Sequence, residues 1–237
     1  MKILVYTVSD FKPYADKCIN MLFENIENQQ LDLCVISNRE APSDFKYKTI
    51  IDSSNYNYIG FLKYSKVIPS GYDAYVYLDS DIIYFGEIKD LISKDKDISV
   101  VFEKLKMNED WFKYQHADNE KEISFFKKNN GLNAGSFCCK NISFLNLVNS
   151  LYSPFISGDV HLDARLEQSS FNYAVCKTTD FNLSKCFDIT DITQLFASDF
   201  PYSKYKKLYH FCGFSNEMYS KFLKMQRFLY EKQRANH

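Results

Sequence analysis

The sequence has little glycine, little proline and a single tryptophan. It contains 7 Gly, 5 Pro and 1 Trp in 237 residues. This scarcity excludes collagen-like repeats and disordered tracts rich in Pro or Gly. With 46% hydrophobic and 25% charged residues, the composition is that of a globular protein large enough to bury a substantial core.

An excess of positive charge and long apolar runs are also missing. The formal net charge is -1, which argues against a broad nucleic-acid-binding surface, because such a surface needs a basic excess. No stretch approaches the ~20 uninterrupted apolar residues that span a bilayer. The first apolar run, residues 1–7, is too short for a signal peptide. We therefore expect neither a nucleic-acid partner nor a membrane-spanning helix.

Cysteine pairs with metal-ligand or redox spacing are absent as well. The seven cysteines are scattered and include no Cys-x-x-Cys pair. An odd number of dispersed thiols is typical of small buried hydrophobic residues in a reducing compartment. We therefore expect a cytoplasmic protein.

The most informative stretch that is present is Tyr75–Ile83, in which an apolar run ends at Asp79 and Asp81 and then resumes. A buried strand that ends in Asp-x-Asp presents two oxygen ligands at the edge of a sheet, where open α/β folds bind their ligands. This spacing suits Mg²⁺ or Mn²⁺. Taken alone, the stretch is equally compatible with a polar turn that ends a strand.

The first part of the chain predicts a β-α-β unit. Residues 2–8 and 31–36 are apolar runs typical of buried strands, and apolar residues repeat at helical spacing across 14–26. Such crossovers are almost always parallel and right-handed. A loop is expected over 39–58. Further helices are expected at 59–68, 88–92, 143–152 and 161–175, and further strands at 98–102, 131–139, 181–189 and 205–213.

Two segments stand outside this alternation of strands and helices. Residues 103–130 have no apolar period, so we expect a loop-like insertion that is either a lid over the sheet or a mobile loop. In the tail, residues 215–237, one helical stripe carries Met218, Phe222, Met225 and Leu229. We expect this helix to pack on the main domain, residues 1–214. Its basic residues alternatively suit peripheral contact with an anionic membrane.

Four separated motifs occur in order on this α/β background. They are Tyr77-Leu78-Asp79-Ser80-Asp81, Leu132-Asn133-Ala134-Gly135, Glu167-Gln168-Ser169-Ser170-Phe171-Asn172 and His210-Phe211-Cys212-Gly213. In this combination the chain resembles the nucleotide-sugar glycosyltransferases of the GT-A fold. It is most similar to family 8, the retaining galactosyl- and glucosyltransferases of lipopolysaccharide and glycogenin type. The resemblance covers about residues 1–214 and implies a Rossmann-like mixed central sheet flanked by helices, with a C-terminal helical appendage.

The resemblance assigns a divalent ion to three residues. Asp79 and Asp81 match the family's metal-binding aspartates, and His210 matches its third protein ligand. The implied cofactor is Mn²⁺ or Mg²⁺, and an imidazole can bind Mn²⁺ beside two carboxylates. When bound, such an ion stabilises the charge that the nucleoside diphosphate gains as the glycosidic bond breaks.

The remaining matched positions concern the sugar nucleotide. The resemblance places Thr7, Val8, Lys63 and Ser80 toward its nucleotide and phosphate end, Gly213 where the backbone approaches the phosphates, and Asn133, Ala134 and Gly135 beside its sugar. Glu167 and Gln168 match an acidic-Gln pair, usually Asp-Gln, close to the anomeric carbon, and are the implied catalytic residues. The longer side chain of Glu167 leaves its role open.

One part of the family pattern is missing. The family continues past its His-x-x-Gly motif with Lys-Pro-Trp, whose lysine contacts the diphosphate. In this chain residues 214–216 read Phe-Ser-Asn. The resemblance therefore implies that this contact is either absent or supplied elsewhere, by Lys204 or Lys221.

The implied function is metal-dependent hexose transfer in polysaccharide biosynthesis. The donor would be a nucleoside-diphosphate sugar such as UDP-glucose or UDP-galactose, and the acceptor a glycan or a lipid-linked saccharide. A family 8 enzyme would retain the anomeric configuration. Two alternatives stay open: a phosphohydrolase with Asp79 as its nucleophile, and a non-catalytic module that binds nucleotides or glycans on the same fold. In the phosphohydrolases the motif normally follows the first strand, whereas here two earlier strands precede it.

Overall fold

Ten strands and five α-helices are present in the part of the chain that the computed structural model describes, namely residues 1–110, 112, 117, 119–156, 158–195, 206–212 and 218–235. The strands are β1 (Ile3–Ser9), β2 (Asp32–Ser37), β3 (Lys48–Ile51), β4 (Ala74–Leu78), β5 (Ile82–Tyr84), β6 (Ile98–Lys106), β7 (Asn130–Cys139), β8 (Phe187–Asp188), β9 (Thr193–Leu195) and β10 (Leu208–His210). The helices are α1 (Ala15–Glu24), α2 (Glu120–Lys128), α3 (Ile142–Tyr152), α4 (Val160–Thr178) and α5 (Met218–Ala235).

The central sheet has seven strands in the order β3-β2-β1-β4-β7-β6-β8. β7 runs antiparallel to both of its neighbours, and the other pairs are parallel. Every residue of β1 is buried, as expected of a strand covered on both faces. Leu4 and Tyr6 belong to the hydrophobic core on one face of the sheet, and Ile3 and Val5 to the core on the other. The predicted mixed α/β sheet with flanking helices is confirmed.

A smaller sheet, in the order β5-β10-β9, begins directly after the carboxyl end of β4. β5 follows β4 after a turn of three residues, 79–81, and pairs antiparallel with β10. Helix α5 packs on this sheet through Phe228, whose ring centroid lies 4.6 Å from that of Tyr209. The second sheet thus places the end of β10 beside the turn that follows β4.

The structure differs from the expected elements in the first half of the chain. β3 lies within 39–58, where a loop was expected, and extends the parallel sheet beyond β2. The predicted helix 59–68 is a 3₁₀ helix at Ile59–Tyr64, and residues Ile88–Leu91 form another. Short 3₁₀ turns are common connectors, and apolar spacing over so few residues does not distinguish them from an α-helix.

Residues 103–130 are more regular than the expected loop-like insertion. The end of β6 and the whole of α2 lie within this segment. The side chain of Asn119 accepts a hydrogen bond from the N–H of Glu122 and so caps α2, a contact worth about 1 kcal/mol. Farther on, the predicted strand 181–189 is reduced to the two residues of β8. Among the described residues, no helix is long and apolar enough to cross a membrane.

Candidate active site

Asp79 and Asp81 lie in the turn between β4 and β5, at the carboxyl end of a fully buried strand. The N–H of Asp79 donates to the carbonyl of Gly135 on β7 (2.8 Å), and the N–H of Ile82 closes the turn on the carbonyl of Asp79 (3.1 Å). The backbone is therefore fixed on both sides of the Asp-x-Asp motif. Asp81 is buried, with 4% of its surface exposed.

His210 reaches the same turn from β10. In the β5–β10 ladder His210 is paired with Ile82, and the N–H of Phe211 donates to the carbonyl of Asp81 (3.0 Å). The Nε2 atom of His210 lies 3.3 Å from Oδ2 of Asp79 and 3.3 Å from Oδ1 of Asp81. The structure thus brings together the three residues expected to bind metal, with one potential ligand atom from each within 4.8 Å of the others.

Gly135 keeps open the space around these side chains. A Cβ atom at this position would lie 2.2 Å from Cε1 of His210 and 2.5 Å from Oδ2 of Asp79, closer than real Cβ contacts allow. Two carboxylates and an imidazole form a donor set that suits Mn²⁺. The residues therefore fit a divalent cation, and the absence of a side chain at Gly135 is part of that fit.

Neighbouring charges shift the pKa values of all three side chains. Burial alone would raise the pKa of Asp79 and of Asp81, but Lys63 and His210 beside Asp79, and Lys221 and His210 beside Asp81, hold both pKa values below the usual range. Burial opposes protonation of His210, yet the acidic groups around it, including Cys212 and Asp81, raise its pKa well above the ordinary value. The cluster is thus a strongly ionic site inside the fold.

Lys63 connects this cluster to the interior of the cleft. Its side chain is 7% exposed, and its Nζ atom lies 3.4 Å from Oδ1 of Asp79 and 3.6 Å from Oε2 of Glu167. The same ammonium donates to the carbonyl of Ala134 (3.3 Å). Lys63, expected from the resemblance to touch the nucleotide, is held between two carboxylates.

Glu167 lies on α4 and is buried, with 2% of its surface exposed. The hydroxyl of Tyr64 donates to its Oε1 atom (2.7 Å), while Lys63 lies beside its other oxygen. Burial raises the pKa of Glu167 above its ordinary value, although Lys63 and Tyr64 oppose this shift. The carboxyl group is therefore firmly positioned and is easier to protonate than an exposed glutamate.

Gln168 and Asn133 are engaged with the backbone and side chains around β7. The amide of Gln168 donates to the carbonyl of Leu132 (2.5 Å) and accepts from the N–H of Ala134 (3.3 Å). Asn133 donates to Oε1 of Glu103 (2.6 Å) and accepts from the N–H of Gly135 (2.8 Å). Side chains of α4 and β6 thus hold residues 133–135, the segment predicted to border the donor sugar.

These side chains surround one cleft of about 380 Å³. Its described lining residues are Tyr58, Lys63, Asp79, Asp81, Glu103, Leu105, Phe112, Asn133, Gly135, Ala164, Glu167, Gln168, His210, Cys212 and Lys221. The cleft therefore joins the metal-ligand cluster to both predicted catalytic residues and to two of the three residues of the predicted sugar segment.

The other predicted positions lie around this cleft. Thr7 and Val8 are buried near the carboxyl end of β1, next to β4 in the sheet. Ser80 is half-buried between the two aspartates. Ala134 is buried in β7 and contributes its backbone to Lys63 and Gln168. Gly213 and Lys204 lie outside the described residues.

Sequence reasoning did not assign a role to Tyr64, Glu103 or Asn172. Asn172 follows Gln168 by one helical turn and bonds both the N–H (2.7 Å) and the carbonyl (2.9 Å) of Leu132, so the i, i+4 spacing was a signal for it. Tyr64 follows Lys63 directly. Glu103 lies at the start of the segment without apolar periodicity and carried no local signal.

Comparison with solved structures shows several glycosyltransferases with a similar fold. One is a glycosyltransferase involved in the glycosylation of the major capsid of PBCV-1, with 12% identity over 95% of this chain and 100% of that chain and a TM-score of 0.54. Mouse xyloside xylosyltransferase 1 has 12% identity over 89% of this chain and 97% of that chain (TM-score 0.50). GlyE of Streptococcus pneumoniae has 12% identity over 98% of this chain and 64% of that chain (TM-score 0.54).

At this low identity the similarity concerns the fold. It confirms the predicted GT-A glycosyltransferase fold, whereas membership of family 8 stays a prediction. No protein-family model matches the chain, and a search of curated proteins found no match.

Proposed function

We propose that this chain is a metal-dependent glycosyltransferase that moves a hexose from a nucleoside-diphosphate sugar to a glycan or lipid-linked acceptor. The observation that carries the proposal is the meeting of Asp79, Asp81 and His210 within 4.8 Å, at the mouth of a cleft that also contains Glu167. In open α/β folds this edge of the sheet is where ligands bind.

Asp79, Asp81 and His210 are the proposed ligands of Mn²⁺ or Mg²⁺. The imidazole favours Mn²⁺, because Mg²⁺ is usually bound through oxygen atoms alone. When bound, the ion supplies Lewis-acid stabilisation to the nucleoside diphosphate as it leaves. The fixed backbone on either side of the motif, with its hydrogen bonds of 2.8 and 3.1 Å, preorganises the two aspartates for this task.

The proposed donor is a UDP-sugar such as UDP-glucose or UDP-galactose. Thr7 and Val8 come at the end of β1, next to the strand that ends at Asp79, and are the proposed contacts for the nucleoside. Ser80 and Gly213 are proposed to lie against the phosphates. Asn133, Ala134 and Gly135 are proposed to border the sugar, with the Asn133 amide and Glu103 offering hydrogen bonds to its hydroxyl groups.

The bond-making chemistry is assigned to the region of Glu167. A carboxylate fixed by Tyr64 and Lys63 can stabilise the positive charge of an oxocarbenium-like transition state. Gln168, whose amide already bonds Leu132 and Ala134, is proposed to hold the sugar segment at the reaction centre. As in the retaining family 8 that the chain resembles, the acceptor is proposed to attack from the donor's own face, so that the configuration is retained.

The acceptor side of the proposal rests on the outer face of α5. Leu223 and Tyr230 are exposed there, and basic residues such as Lys224 and Arg234 share the helix. An apolar stripe flanked by cations suits the surface of an anionic membrane that presents a lipid-linked acceptor. A cytoplasmic location, with peripheral membrane contact, completes the proposal.

The direct test is release of UDP from a panel of UDP-sugars in Mn²⁺ and in EDTA. The proposal predicts release that depends on Mn²⁺ and that Asp81→Ala abolishes, while Asp95→Ala, at an exposed position, leaves it unchanged. Donor binding without any release would indicate a non-catalytic binding module. A covalent aspartyl-phosphate at Asp79 would instead indicate a phosphohydrolase, and either result contradicts the transferase.

A further inference from the structure

Lys221 reaches the candidate metal cluster from the C-terminal helix. Its Nζ atom lies 2.5 Å from Oδ2 of Asp81, while Nε2 of His210 lies 3.3 Å from the other carboxylate oxygen. The Lys221 side chain is 20% exposed and that of Asp81 is 5% exposed. The ion pair is therefore only weakly screened by solvent, and it occupies one of the carboxylates expected to bind metal.

The positive charges around the cluster explain how two neighbouring aspartates are both tolerated. Lys63 lies 3.4 Å from Asp79, and Lys221 takes the corresponding place at Asp81. A buried carboxylate needs such a partner, because an unpaired charge inside a protein is costly. Lys63 is enclosed between two carboxylates, whereas Lys221 approaches from a helix at the edge of the cleft.

A divalent cation bound by Asp79, Asp81 and His210 would change this balance. It would bring two positive charges to the carboxylate that Lys221 already contacts. Like charges at a partly buried site repel strongly. The ion would also neutralise the carboxylate of Asp81, so the attraction that holds the Lys221 ammonium there would be lost.

The rest of α5 is anchored independently of this ion pair. Met225 and Phe228 are buried against the small sheet, and the rings of Tyr219 and Phe222 lie 4.8 and 5.5 Å from that of Tyr14. Lys221 can therefore leave Asp81 while the helix stays docked through its apolar face.

We propose that Lys221 is an internal counter-ion that holds the place of the metal at Asp81 and is displaced when the divalent cation binds. The inference rests on the metal site of the proposed function. It makes metal binding at this site an exchange of one cation for another, with α5 supplying the cation that leaves.

The exchange is tested by Mn²⁺ titration of the full chain without nucleotide, with free Mn²⁺ counted by electron paramagnetic resonance. Lys221→Met removes the competing charge, so we expect Mn²⁺ to bind about tenfold tighter than to the wild type, within the usual range of coupling between two ligands. Arg227→Met is the matched control, because Arg227 pairs with Glu231 on the exposed face of the same helix. It should bind Mn²⁺ like the wild type.

A second readout uses the unmodified protein. Acetylation of Lys221, followed by mass spectrometry, should become faster when Mn²⁺ is added, because the amine loses its partner, while acetylation of the exposed Lys12 stays unchanged. Unchanged or weaker Mn²⁺ binding by Lys221→Met, or no change in Lys221 labelling, would contradict the proposed exchange. Neither result would contradict the metal site itself. If neither wild type nor variant binds Mn²⁺, the metal site itself is wrong and the inference falls with it.

Discussion

The ammonium of Lys63 lies 3.4 Å from Oδ1 of Asp79, and this ion pair links the candidate metal cluster to the part of the cleft that contains Glu167. The same nitrogen is 3.6 Å from Oε2 of Glu167. One buried cation therefore balances a proposed metal ligand and the proposed catalytic carboxylate. Because both acids depend on it, Lys63 connects the stability of the fold to the chemistry of the site.

The first prediction concerns this shared cation. Lys63→Met should lower the free energy of unfolding by about 3 to 5 kcal/mol, because it removes the cation that the buried Glu167 and the partly buried Asp79 share. The additional change Glu167→Gln should recover part of the loss, since it removes one of those charges. Urea unfolding followed by circular dichroism measures both.

The control for this prediction is an ion pair at the surface. Lys185 lies 2.7 Å from Asp180, with side-chain exposures of 49% and 83%. Lys185→Met should therefore cost at most about 1 kcal/mol. If Lys63→Met were as mild as Lys185→Met, the structural role assigned to Lys63 would have to be abandoned.

The second prediction concerns the open space at Gly135. In Gly135→Ala the added methyl group would meet His210 at 2.2 Å and Asp79 at 2.5 Å, so the two proposed ligands must move apart. We expect a loss of about 1 to 3 kcal/mol in stability, as for other overpacked sites, together with a measurable loss of Mn²⁺ affinity in the titration. Gly158→Ala should change neither quantity, because an added Cβ there would lie 3.9 Å from its nearest described neighbour, Nδ2 of Asn57.

The third prediction concerns Glu167. Glu167→Gln keeps the shape of the side chain but removes its charge, so kcat should fall about 100-fold, as when a preorganised electrostatic contact to the transition state is lost. KM for the donor should change little, because an interaction made mainly in the transition state affects kcat rather than ground-state binding. Steady-state kinetics on the active UDP-sugar measures both constants.

Glu122→Gln is the matched comparison for this variant. Glu122 of α2 is also a buried acid, but it pairs with Lys177 of α4 at 3.2 Å and does not line the cleft. We expect kcat to stay at the wild-type value even if stability falls. Equal losses of kcat in the two variants would mean that burial of a charge, and not its position at the cleft, explains the effect.

The fold could be predicted largely because its informative strands are buried on both faces. β1 and β4 read as near-continuous apolar runs, and all their residues are buried. β3 was missed because it is short and carries only partly buried and exposed residues. Helix α2 was missed because only Glu122 and Phe126 are buried, too few to produce an apolar period.

The candidate site also has a part that the sequence predicted and a part that it did not. Asp79 and Asp81 lie in the turn after β4 and His210 ends β10. Each belongs to a recognisable motif, and the structure brings the three together. The contact between Lys221 and Asp81 (2.5 Å) could not be derived from the sequence, because it depends on how α5 packs across the small sheet. Tertiary packing of this kind leaves no local pattern in the sequence.

The central claim, a metal-dependent nucleoside-diphosphate site, is tested most directly by a thermal shift with UDP in Mn²⁺ and in EDTA. A ligand at 100 times its Kd stabilises the native state by about 2.7 kcal/mol, which raises Tm by about 5 to 10 °C for a chain of this size. The account predicts such a rise for UDP with Mn²⁺ and none for UDP with EDTA. If no nucleoside diphosphate raises Tm in the presence of Mn²⁺, the proposed site is contradicted.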